Sequence, residues 1–69
     1  MARYYGRLRG RIKQVFGSME LFAEACGKTP SIISKKLNSK IKITGDDIEE
    51  WSKLLGIPIE EVHEYFFAD

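Results

Sequence analysis

The stretch SMELFAEACGKTPSIISKKLN, Ser18 to Asn38, decides how this chain is read. Met19, Phe22, Ala23 and Cys26 recur at the spacing of one helical face, with Ser18 ahead of them as an N-cap and Glu20 in the first turn, where the helix dipole favours an acid. Gly27 stops that helix. Thr29 followed by Pro30 starts another, because the hydroxyl can cap free amides and a proline in the first turn gives up no helical hydrogen bond. Ile32, Ile33 and Leu37 should point inward and Asn38 should end it. Ala23 is small enough for close crossing, and Gly27 tolerates a turn that a side chain would strain. The result is two short helices in a tight joint, the second protruding with Ser31, Ser34, Lys35 and Asn38 facing away.

Outward from this pair, Leu8, Ile12, Val15 and Phe16 form the core stripe of a helix that begins at about Tyr4 or Arg7 and stops at Gly17. Thr44 and Asp47 stand at capping-box spacing, so a fourth helix should run from about Gly45 to Leu55 on Ile48, Trp51 and Leu55, with Leu54 flanking. Pro58 opens a short fifth helix in which Ile59, Val62 and Phe66 share a face. Residues 38 to 44 alternate like a strand but are too short and solitary for a sheet, and read as a connector anchored by Ile41 or Ile43. The expectation is an all-α, five-helix bundle forming one domain over residues 1 to 69.

At 69 residues the chain has little room for a large cleft. One cysteine cannot form an internal disulfide, and Cys26 with His63 cannot furnish a structural zinc site. Cys26 reads as a small buried hydrophobe, and His63, among Glu60, Glu61 and Glu64, as a packing or surface residue. No catalytic constellation or glycine-rich phosphate loop is present, so the reading is of a non-enzyme with no metal, cofactor or small-molecule substrate. No apolar run approaches a membrane span, and no export signal opens the chain, which makes a cytoplasmic location the expectation.

The net charge of +1 conceals a division. Residues 1 to 43 hold ten basic side chains against two acidic ones, a net +8, while residues 44 to 69 hold one against eight, a net −7. The basic half would attract a phosphate backbone and the acidic half would face away from it. Pairing of the two halves within one molecule is the competing explanation. Arg3, Arg7 and Arg11 repel one another at four-residue intervals near the positive end of a helix, a conflict that a polyanion or fraying would relieve.

Hydroxyls and amines suit the edges of base pairs in a major groove, which makes Ser31, Ser34 and Lys35 the candidates for base contact. Lys28 and Thr29 before the protruding helix, Lys36, Asn38, Ser39, Lys40 and Lys42 at and beyond its end, and Arg11 from the first helix are the candidates for phosphate contact. Tyr65, Phe66 and Phe67 cannot all face one small core, so residues 58 to 67 are the expected dimer or partner-binding helix. A homodimer would read two half-sites.

The segment from Met19 to Asn38, with its small Ala23, Gly27 four residues later, polar cap at Thr29 and branched Ile33, resembles the lambda-repressor-like helix-turn-helix domains of small phage repressors and Cro-type regulators. Ile48, Trp51 and Leu55-Gly56-Ile57 look like that family's fourth helix and turn. The Lys36-Leu37-Asn38 ending and the Tyr65-Phe66-Phe67 tail are similar to a group of small, uncharacterised phage-encoded proteins of this type. The resemblance implies a transcriptional regulator occupying a double-stranded DNA operator, with Ser31, Ser34 and Lys35 at base-reading positions and Lys28, Thr29 and Asn38 near phosphates. The chain departs from the family at Met19, where a phosphate-bracing glutamine is common, and at Lys28, where an apolar residue is usual. The other function in view is an antirepressor or repression modulator that binds a larger repressor protein through the aromatic tail.

Overall fold

A computed structural model describes residues 5–67. Its elements are α1 (Gly6–Phe16), α2 (Met19–Cys26), α3 (Pro30–Leu37), α4 (Gly45–Leu55), a single 3₁₀ turn (Ile59–Glu61) and α5 (Val62–Phe66). No strand occurs among the described residues, and residues 38 to 44 are the connector that their solitary position required. Ile43 anchors that connector against the core, while Ile41 stays exposed.

Local chemistry sets most boundaries. The Ser18 hydroxyl accepts from Leu21 N–H at 3.2 Å and the Thr29 hydroxyl from Ile32 N–H at 3.4 Å. Thr44 and Asp47 form the full reciprocal box, the hydroxyl accepting from Asp47 N–H and the carboxylate from Thr44 N–H. At Gly27, with φ 70°, Lys28 N–H donates to Ala23 C=O and Gly27 N–H to Glu24 C=O, the paired bonds of a Schellman motif. The same paired bonds close α3, from Lys40 N–H to Lys35 C=O and from Ser39 N–H to Lys36 C=O, but here the left-handed residue is Ser39, with φ 61°. A non-glycine residue there is strained by about 1 kcal/mol.

Leu8, Ile12, Phe22, Ala23, Ile33, Leu37, Trp51, Leu55 and Phe66 make the core. Four aromatic rings run through it: Phe16 lies 5.4 Å from Phe22, Phe22 meets Trp51 edge-on at 5.2 Å, and Trp51 lies 6.3 Å from Phe66. They join α1, α2, α4 and α5 in one contact series, each pair adding on the order of 1 kcal/mol to its apolar burial. Two expected core positions lie elsewhere. Val15 is 45% exposed, because the first helix turns its Ile12 and Phe16 edge toward α2. Ile59 is 87% exposed, because it opens the 3₁₀ turn ahead of the α-helical repeat that carries Val62 and Phe66 inward.

Across the connector, Lys36 Nζ meets Asp47 Oδ2 at 2.6 Å, with both side chains nearly buried. Burial alone would raise the Asp47 carboxyl, but the bonds from Lys36 and Thr44 outweigh it and hold the group below its ordinary 3.8. A carboxylate stabilised by folding contributes fully above that ordinary value and loses its contribution as pH falls through the lower, folded value. Asp47→Asn leaves Lys36 without its charge partner and should cost roughly 2 kcal/mol near neutral pH. Urea unfolding at about pH 6 and about pH 3 should show the native chain losing more stability than the variant over that interval. Equal losses would mean that the pair contributes nothing.

Candidate nucleic-acid interface

The α2–α3 joint determines what α3 can present. Ile33 and Leu37 are buried and Ile32 half-buried, so rotation about the axis leaves Ser31, Ser34 and Lys35 exposed, all on one short helix. Residues 28 to 42 contain five lysines and no acid. Of these, Lys28, Lys35, Lys40 and Lys42 are exposed, with no ion pair among the described residues, while Lys36 is committed to Asp47. Lys36, expected among the phosphate contacts, is thus a half-buried strut, because the N-terminal end of α4 brings a carboxylate onto it.

Arg11, also expected at a phosphate, is turned inward: its Nε donates to Leu55 C=O at 2.8 Å and its terminal nitrogen to Gly56 C=O at 3.3 Å. Arg9 does the same for α3, donating to Leu37 C=O at 3.0 Å and to Asn38 Oδ1 at 2.8 Å. Arg7 meets Glu64 at 2.9 Å on the surface. Three alternate residues of one helix therefore reach three different helices, and the arginine repulsion along α1 is relieved at Arg7 and Arg11 from within the molecule. Arg3 lies outside the described residues. This use of the arginines was not foreseen, although residues two apart stand about 200° apart on a helix and cannot share one face.

Arg9 has a further effect on the exposed face. A guanidinium can only donate, so the Asn38 atom facing it must be the oxygen, which turns the Asn38 amide nitrogen toward Ser34 Oγ at 3.3 Å. Ser34 Oγ accepts that bond, which leaves the hydroxyl one donor and one acceptor position. Thr29 is occupied as the α3 cap, and Ser39 holds the left-handed turn beyond it.

The aromatic tail is placed differently from the expectation. Phe66 is 2% exposed and packs on Trp51, Tyr65 is half-buried against the core, and Phe67, 46% exposed, stacks on His63 at 5.8 Å. The interface expected at Tyr65, Phe66 and Phe67 therefore loses its central ring, because α5 must supply a core residue to close the bundle. Cys26 is buried, and burial pushes its thiol up to about 11, an inert state. No group of potential metal ligands occurs among the described residues, and no helix among them is long and apolar enough to cross a membrane.

The chain belongs to a family described as a protein of unknown function, DUF739, whose model matches residues 1–69. No curated protein matches it.

Replacing Ser39 by glycine should relieve the left-handed strain and raise stability by about 0.5 to 1 kcal/mol. Arg9→Ala should cost about 1 to 2 kcal/mol, since it strips donors from the end of α3, whereas Arg7→Ala, losing one solvated pair, should cost under about 0.5 kcal/mol. Thermal or urea unfolding of the three variants checks the order. Arg7→Ala costing as much as Arg9→Ala would refute the account of the helix ends.

Proposed function

We propose that this chain is a sequence-specific, double-stranded DNA-binding regulator of phage repressor or Cro type, which acts by occupying its operator. The observation that carries the reading is the exposure of Ser31, Ser34 and Lys35 on a helix rooted by Ile33 and Leu37, within a segment holding four exposed lysines and no acid. A protruding helix of this width fits a major groove, and basic residues on both sides of it can hold the two phosphate strands.

The roles divide by chemistry. Lys35 donates to guanine O6 or N7. Ser34, whose oxygen accepts from Asn38 and keeps one donor and one acceptor position, can meet an acceptor edge such as a purine N7 or thymine O4, or a base amino group. Ser31 is the third base contact. Lys28, Lys40 and Lys42 supply phosphate contacts, which give most of the affinity and little discrimination. Asn38 and Arg9 act behind the surface by orienting Ser34. The acidic side chains of α4 and the 3₁₀ turn belong on the face away from the duplex.

Selection from a randomised duplex library at near-physiological salt tests the reading. Native protein should enrich a defined site, and Ser34→Ala or Lys35→Ala should lose preference at one or two positions, by about 1 to 3 kcal/mol each. Lys40→Ala or Lys42→Ala should weaken binding to all duplexes alike and reduce the salt slope by about one. Equal losses on every duplex for all four variants would overturn sequence-specific reading. Capture of a larger repressor without any duplex preference would move the function to repression modulation.

A further inference from the structure

Both ends of the connector between α3 and α4 are held by one atom. Asp47 Oδ2 accepts from Lys36 Nζ at 2.6 Å, on the last turn of α3, and from Thr44 N–H at 3.0 Å, where the connector ends. Between those points the chain carries Lys40 and Lys42, both exposed and without an ion pair among the described residues. Lys36 is the exception in this basic segment, because its side chain is only 13% exposed and a carboxylate matches its charge. Stability does not require such a pair, since well-packed apolar residues of similar volume often serve as well. What the pair changes is the charge beside α3. A free Lys36 would add a cation that seeks phosphate, and a free Asp47 would add an anion that repels it.

We propose that Asp47 is a specificity-determining positioning residue, which fixes Lys40 and Lys42 relative to Ser31, Ser34 and Lys35 and withholds Lys36 from the phosphates. This rests on the reading of α3 as a DNA-reading helix. A specific complex needs its phosphate contacts at a set distance from its base contacts, so a loosened connector weakens it. A non-specific complex has no base register to keep and uses whichever phosphate is near, so a freed lysine on a long, flexible stem strengthens it. Asp47 acts against both changes with one carboxylate, and it touches neither base nor phosphate in doing so.

Asp47→Asn tests it, because the amide oxygen can still accept from Thr44 N–H while the charge that holds Lys36 is gone. Fluorescence anisotropy of the full chain on the duplex enriched by selection and on an unrelated duplex, across a salt series, gives both affinities. Circular dichroism at the assay temperature establishes that each variant is folded. Asp47→Asn should bind the unrelated duplex about 3- to 10-fold more tightly near about 0.1 M salt, with a salt slope steeper by about one. It should bind the enriched duplex no more tightly than the native chain does. The double variant Lys36→Met, Asp47→Asn should show the native non-specific affinity and slope, and it serves as the comparison if the single variant unfolds. A slope shallower by about one in that double variant would mean that Lys36 already holds a phosphate, and would overturn the proposal. Glu61→Gln, which removes one negative charge from an exposed residue of the 3₁₀ turn, should change neither quantity. Weaker binding of Asp47→Asn to both duplexes at an unchanged slope would reduce Asp47 to a structural residue, and a gain reproduced by Glu61→Gln would reduce the effect to overall charge. Either result overturns the proposal. A native chain that distinguishes no duplex overturns the regulator reading and this inference together, whereas a discriminating native chain beside an equally discriminating Asp47→Asn chain overturns this inference alone.

Discussion

The arrangement of the bundle depends on two guanidinium groups that close the ends of other helices. A helix ends with carbonyl groups that lack amide partners and with the negative pole of its dipole. Arg9 brings donors to that end of α3 and Arg11 to that end of α4, both from α1. Apolar packing around Trp51 holds the helices together, but such packing is non-directional and tolerates sliding. The guanidinium bonds are directional, and they fix where α3 and α4 stop relative to the first helix.

The chain divides clearly into features that could be read beforehand and features that could not. Ser18, Thr29 and Thr44 act on amides three residues away, so the starts of α2, α3 and α4 were visible in a few adjacent letters. Gly17, Gly27 and Gly56, all at positive φ, likewise marked three ends. The inward residues of α2 and α4 followed from periodicity, as did the outward Ser31, Ser34 and Lys35. Everything that depends on a distant partner escaped. Arg9 lies 28 residues from Leu37, Arg11 lies 44 from Leu55, and Lys36 lies 11 from Asp47 across an irregular connector. A basic residue looks the same in sequence whether it will meet a phosphate, a carboxylate or a carbonyl. The tail was half legible: the face shared by Val62 and Phe66 does turn inward, whereas Ile59 leaves it because the 3₁₀ turn sits ahead of the α-helical repeat.

The charge division of the sequence is therefore used twice over. Arg7 with Glu64 and Lys36 with Asp47 join the basic half to the acidic half, so internal pairing accounts for part of the asymmetry. The lysines left over are not randomly distributed. Apart from Lys13 on α1, they lie before, on and after α3, where the chain has no acid to meet them, while most acids lie on α4 and the turn before α5. The charge is thus divided along the sequence, although the net charge is only +1.

The support of α3 has a mechanical meaning. Its first turn is tied through Thr29 and the Gly27 bend to α2, and its last turn is held by Arg9, by the Lys36 contact with Asp47 and by the double bond pattern at Ser39. Such a rod resembles a beam resting on two piers rather than a diving board. Pressure on its outer side would pass into the body at both ends, and the rod would keep its alignment under load.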